Sequence, residues 1–228
     1  IGDVLVRSFA PGPARAGARI AQDVAAEAVR IFAGRFGPYP YTELDVAATP
    51  MLALGIEYPG ITGISAEILQ GDAPRQILIE TTVAHEVAHQ WFYGLIGNDQ
   101  VDEPWLDEAL AQYATWLYYV DRYGAAQAEV VREGWRSRWE RVDRAAVPVG
   151  LPAADYDGLE YGAIVYGRGP LFVSALAERM GQDTFDRFLK EYSDRHRWGI
   201  ATADGFKKMA EAACSCSLGA LYEEWLDP

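Results

Sequence analysis

Apolar positions along this chain change their period twice. From Ala14 to Phe36, the residues Ile20, Val24, Ala28, Ile31 and Phe32 recur at helical spacing, and the stripe ends at Gly34 and Gly37. Pro38-Tyr39-Pro40 then forces an extended turn. Between Leu44 and Ser65 the apolar runs shorten and are broken by Pro50, Gly55, Pro59, Gly60 and Gly63, the texture of two or three strands joined by tight turns. After Pro74 the helical period returns. Ile77, Leu78, Val83, Ala84, Val87, Ala88, Trp91, Leu95 and Ile96 predict one helix over Arg75 to Ile96, apolar nearly all round and therefore buried, with a stop at Gly97-Asn98. A second strong helix is expected from about Pro104, suited to a first turn, to Tyr123, with Gly124 as its C-cap. The remainder reads as helical with breaks at Pro148, Pro152, Gly158, Gly169 and Gly181. Strands early and helices late predict an α+β fold. Its β-containing part occupies about 1–74, two central helices about 75–124, and a helical lobe about 125–228.

The length of 228 residues suits one large domain or two lobes sharing a core, and half of the residues are apolar, far too many for a disordered chain. Lys and Arg number 20 against 33 Asp and Glu, a formal net charge of −13. Polyanion binding needs a basic stripe, so this balance argues against nucleic acid and anionic membrane surfaces and favours neutral or cationic partners. No apolar run approaches the roughly 20 residues that span a bilayer, so no transmembrane segment is expected. The two cysteines, Cys214 and Cys216, suit neither a disulfide framework nor a four-ligand zinc module and assign no redox compartment. The chain opens Ile-Gly-Asp without Met or a leader pattern and reads as a mature chain or a piece of a longer one.

Two of the three histidines lie four apart, in His85-Glu86-Val87-Ala88-His89, inside the buried helix. Residues at i and i+4 share one helix face with Cβ atoms about 5 to 6 Å apart, so two imidazoles there can reach one zinc ion. Glu86 stands one step along, badly placed to ligate but able to reach water at the metal, which makes it the candidate general base. Two imidazoles and a carboxylate in an apolar helix are costly without such partners. A third ligand should be a carboxylate on a neighbouring element, and Asp107-Glu108-Ala109-Leu110-Ala111-Gln112 offers Glu108, separated from His89 by eighteen residues. An antiparallel return would set Glu108 opposite the histidines, and a His, His, Glu set leaves one position open for catalysis.

These segments resemble the zinc aminopeptidases of the aminopeptidase N and leukotriene hydrolase type, among the gluzincins. The resemblance runs over almost the whole chain. It is carried by Thr82-Val83-Ala84-His85-Glu86-Val87-Ala88-His89-Gln90-Trp91-Phe92, by Glu103-Pro104-Trp105-Leu106-Asp107-Glu108-Ala109-Leu110-Ala111, and by the spacer between them. It implies a thermolysin-like metallopeptidase catalytic domain, one Zn2+ held by His85, His89 and Glu108, and flanking family domains that these residues do not contain. The family's exopeptidase signature, Gly-Ala-Met-Glu-Asn, has its counterpart in Gly55-Ile56-Glu57-Tyr58-Pro59, which keeps the glutamate and loses the asparagine. By resemblance, Gly55 and Glu57 bind the substrate, with Glu57 on its α-ammonium. Val165-Tyr166-Gly167-Arg168-Gly169 is similar to the family's Tyr-x-Lys-Gly segment, which makes Tyr166 the oxyanion donor, with Tyr161 the competing tyrosine.

The activity so implied is removal of N-terminal amino acids from peptides with a free N-terminus, with Glu86 as base and Tyr166 stabilising the oxyanion. The alternatives are a thermolysin-type endopeptidase, with no use for Glu57, and an inactive peptidase-like scaffold, which would have lost its ligands or base. Gln112, one helical turn after Glu108, is the expected support for that ligand. Gly167-Arg168-Gly169 lacks the strand and helix context of a phosphate loop, and His196 reads as a plain surface residue. The acidic excess serves solubility and draws cationic amino termini.

Overall fold

The computed structural model describes residues 2–70 and 76–227. They divide into two compact units, Ile1–Gly94 and Leu95–Pro228.

In the first unit, strand β1 (Leu5–Phe9) leads into the long helix α1 (Arg15–Phe36), followed by β2 (Glu43–Thr49), β3 (Gly55–Tyr58), β4 (Ile61–Ser65), the short α2 (Ala66–Leu69) and α3 (Gln76–Ala88). The sheet order is β1-β2-β4-β3. Strand β2 pairs in parallel with both β1 and β4, so α1 is the crossover that a parallel β1–β2 pair requires. Strand β3 lies antiparallel at the edge, with Glu57 opposite Thr62 and Tyr58 opposite Ile61. Three strands thus form between Glu43 and Ser65, as their turn residues predict, whereas β1 was not foreseen. Leu5-Val6-Arg7-Ser8-Phe9 is too short and mixed to stand out, and Arg7 holds it to β2 through ion pairs to Asp45 (2.7 Å) and Glu43 (2.8 Å).

Helix α1 buries Ala18, Ala21, Val24, Ala25, Ala28, Phe32 and Phe36, an alanine-rich face that lets α3 approach closely. Phe32 and Phe36 pack against Trp91, whose indole N–H donates to Gly37 O at 3.0 Å. Helix α3 corrects the expected span. It ends at Ala88 rather than Ile96, while the expected first residue, Arg75, lies outside the described residues. The last turn tightens, with Gln90 N–H on Val87 O and Trp91 N–H on Ala88 O, and the chain then leaves the helix through Tyr93 at φ 123°.

The second unit contains α4 (Trp105–Tyr123), α5 (Ala125–Trp139), α6 (Glu160–Ala163), a π-helical turn (Ile164–Arg168), α7 (Gly169–Met180), α8 (Gln182–Arg195), α9 (Ala203–Cys214) and α10 (Gly219–Trp225). Residues Ile96–Gly97 form β5 and pair in parallel with β6 (Gly199–Ile200). Pro104 occupies the position just before α4, and Gly124, at φ 87°, ends it as expected. The core is aromatic: Trp105 meets Phe172 at 5.7 Å and Phe206 at 5.6 Å, and Tyr113 meets Phe185 at 5.4 Å. Arg168 is buried, donates to Val147 O and Glu224 O, and lies against the rings of Trp139 and Trp225. Cys214 and Cys216 are bonded to each other, a local clasp at the end of α9 that their one-residue separation did not suggest. Among the described residues no helix is long and apolar enough to cross a membrane.

Candidate active site

In the first unit, α3 brings the two histidines onto one face. The His89 N–H still bonds to His85 O at 3.3 Å, so the helical relation between them holds although regular helix ends one residue earlier. His89 Nδ1 lies 2.9 Å from Phe92 O. A carbonyl only accepts, so Nδ1 carries the proton of the neutral ring and Nε2 keeps its lone pair. His89 Nε2 and His85 Nε2 are 3.2 Å apart. Two donors on a tetrahedral zinc ion with bonds of about 2.05 Å are separated by about 3.3 Å, so this pair fits that metal.

Glu86 is 5% exposed and its carboxylate lies against β3. A Cβ at Gly55 would stand 2.1 Å from Glu86 Oε1 and 2.4 Å from Cδ, so a larger residue there would displace the acid from this position. Side chains alternate along a strand, which puts Glu57 on the same face of β3 as Gly55. A Glu57 carboxylate oxygen accordingly lies within 4.8 Å of a His89 ring nitrogen. His85, Glu86, His89, Gly55 and Glu57 therefore form one cluster.

In the second unit, Glu108 lies in the first turn of α4, where the free backbone N–H groups favour a carboxylate. Asp107, missed from sequence, steadies that turn: its Oδ1 accepts from the Glu108 N–H at 2.8 Å and its Oδ2 from Gln100 Nε2 at 2.7 Å. The Tyr166 hydroxyl donates to Glu108 Oε1 at 2.6 Å. Burial, reinforced by the Glu108 charge, pushes the Tyr166 phenol far above its ordinary range, so it stays protonated and able to donate. Tyr161 stacks edge-on against Tyr166 with ring centroids 5.9 Å apart.

The π-helical turn that carries Tyr166 is held by α5. Arg138 Nη1 donates to Tyr166 O and to Gln112 Oε1, both at 3.2 Å, and Trp135 Nε1 donates to the same Gln112 oxygen at 3.1 Å. The carbonyl of Gln112 is thus engaged with α5, which corrects its expected place beside Glu108: it supports the tyrosine's turn instead. A Cβ at Gly167 would meet Trp135 O at 2.8 Å and Trp139 N at 2.9 Å, so this contact too requires glycine. Arg168, in the place of the resemblance's lysine, belongs to the packing described above. His196 is half-buried against Tyr192, with ring centroids 5.0 Å apart, rather than plainly exposed.

The chain matches the peptidase family M1 domain over residues 20–225 and belongs to that family. It is similar to aminopeptidase 2 of Candida albicans, at 28% identity over 205 residues, covering 84% of this chain and 22% of the relative. Aminopeptidase N of Lactobacillus delbrueckii subsp. lactis is 27% identical over 221 residues, covering 90% of this chain and 26% of the relative. Mouse aminopeptidase B is 30% identical over 183 residues, covering 75% and 27%. The chain spans about a quarter of the length of these relatives. Among solved structures it shares its α+β fold with an M1 zinc metallopeptidase from Deinococcus radiodurans, crystallised with a Tyr-Ser-Ala substrate. That likeness has a TM-score of 0.70 at 23% identity and covers 89% of this chain and 43% of the other.

Proposed function

We propose that this chain is the catalytic part of a zinc aminopeptidase that removes the first residue from peptides with a free amino terminus. The observation that carries the reading is the pair of imidazole Nε2 atoms 3.2 Å apart with the Glu57 carboxylate beside them. The metal is one zinc ion with His85, His89 and Glu108 as its ligands, two imidazoles and a carboxylate being a catalytic rather than a structural set. Bound there, zinc supplies Lewis-acid chemistry, acidifying water and polarising the peptide carbonyl.

The remaining steps belong to the chain's own side chains. Glu57 pairs with the substrate's α-ammonium, which restricts hydrolysis to the first peptide bond. Glu86 takes the proton of the attacking water and returns it to the leaving nitrogen. The neutral Tyr166 phenol donates to the oxygen that gains charge as the carbonyl becomes tetrahedral. Asp107 and the Arg138–Gln112 pair hold Glu108 and Tyr166 in place. An endopeptidase would share the metal chemistry without needing the ammonium.

Paired aminoacyl chromogenic substrates, free and N-acetylated, test the reading. Hydrolysis confined to the free substrate, abolished by a chelator and restored by zinc, is expected. Equal hydrolysis of the acetylated partner would overturn the exopeptidase assignment.

A further inference from the structure

The hairpin that carries Glu57 turns through Pro59-Gly60, the two residues between the paired Tyr58 and Ile61. Proline followed by a glycine at φ 75° is the signature of a type II turn. Two-residue hairpins favour the mirror-image turns, because types I and II splay the strands they join. Strand β3 is also an edge strand, paired on one side only. Left to itself, this hairpin would hold Glu57 loosely.

A single side chain fastens the turn. Gln90 is fully buried. Its Oε1 accepts from the Gly60 N–H at 2.8 Å, and its Nε2 donates to Tyr58 O at 3.0 Å. These two bonds, one accepted from an N–H and one donated to a carbonyl, fix the amide's orientation. Gln90 follows His89 directly in the chain. Strand β3 is therefore tied at both ends, with Gly55 against Glu86 of α3 and the Tyr58–Gly60 turn on Gln90 just beyond the end of that helix, and Glu57 lies between the ties.

We propose that Gln90 is a positioning residue that sets the distance between the ammonium anchor Glu57 and the ligand His89. It thereby decides which carbonyl of a bound peptide reaches the metal. The inference rests on the aminopeptidase reading and deepens it. A residue that served only to hold the fold would affect all ligands alike, whereas a residue acting through Glu57 affects only those that carry an ammonium.

The test is calorimetric titration of the zinc-loaded Glu86→Gln protein, which binds without turnover, with a dipeptide and its N-acetyl counterpart. Adding Gln90→Met is expected to weaken the free dipeptide by about 10-fold or more and leave the acetylated one and the zinc content unchanged, since small misplacements of an anchoring group are costly. In a Glu57→Gln background the same change should matter less than about two-fold, because the two residues act as one unit. Should Gln90→Met fail to fold, Gln90→Glu carries the same expectation: it still accepts from Gly60 but cannot donate to Tyr58. A parent that holds no zinc or does not prefer the free dipeptide overturns the aminopeptidase reading and this inference together. A preference in the parent that survives the Gln90 change, or an equal loss for both ligands, overturns this inference alone.

Discussion

The Tyr166 hydroxyl donates to Glu108 Oε1 across 2.6 Å, joining the π-helical turn to the first turn of α4. The two residues are 58 positions apart in the chain. A phenol kept neutral by burial and aimed at this carboxylate is a donor prepared for negative charge. Tyr166→Phe removes the donor and keeps the ring. The turnover number is expected to fall by about 10² to 10³ with little change in substrate binding. Tyr161→Phe, on the neighbouring ring, should be mild. The reverse order in steady-state kinetics would move the oxyanion role to Tyr161.

Glu86→Gln preserves shape but cannot take a proton. Activity should drop by about 10² to 10⁴ while zinc content and melting temperature stay close to wild type. Full activity in the metal-loaded variant would remove Glu86 as the base.

Gly55→Ala tests the packing of that base. The added methyl falls 2.1 Å from Glu86 Oε1, so the carboxylate must shift. Turnover is expected to fall by about 10²-fold, the usual effect of an ångström-scale misplacement, with zinc retained. Unchanged turnover would show that the carboxylate has room to spare.

The helices that carry this chemistry were readable because their apolar period, Pro104 and Gly124 are local signals. The two histidines lie one helical turn apart, so their spacing alone placed them together. The end of α3 was not readable. Leu95 and Ile96 continue a helical period, but Ile96 instead pairs with Gly199 in a short strand, a contact 103 residues away in sequence. Gln90 and Asp107 looked like ordinary polar residues, since their partners lie on the β3–β4 turn and in the loop before α4. For Gln112, helical spacing gave the correct face but not the competing donors, Trp135 and Arg138 on α5.

Buried phenols give stability an alkaline limit. Burial raises Tyr39, Tyr156, Tyr166, Tyr192 and Tyr222 above the ordinary value near 10. Below that value both states are protonated and the full contribution is present. As pH rises through it, the unfolded chain ionises while the folded chain does not, and stability is lost. Urea midpoints should therefore fall above about pH 10, and Tyr192→Phe should flatten part of that fall. A midpoint independent of pH there would mean that the phenols are accessible to solvent.

Zinc stoichiometry by mass spectrometry is the most direct check on the proposed ligand set of His85, His89 and Glu108, the last separated from His89 by eighteen residues. One zinc per wild-type chain is expected. His89→Ala and Glu108→Ala should each weaken metal binding far beyond the roughly 10- to 100-fold caused by losing a supporting group. Equal zinc content in wild type and Glu108→Ala would contradict the assignment and place the third ligand elsewhere.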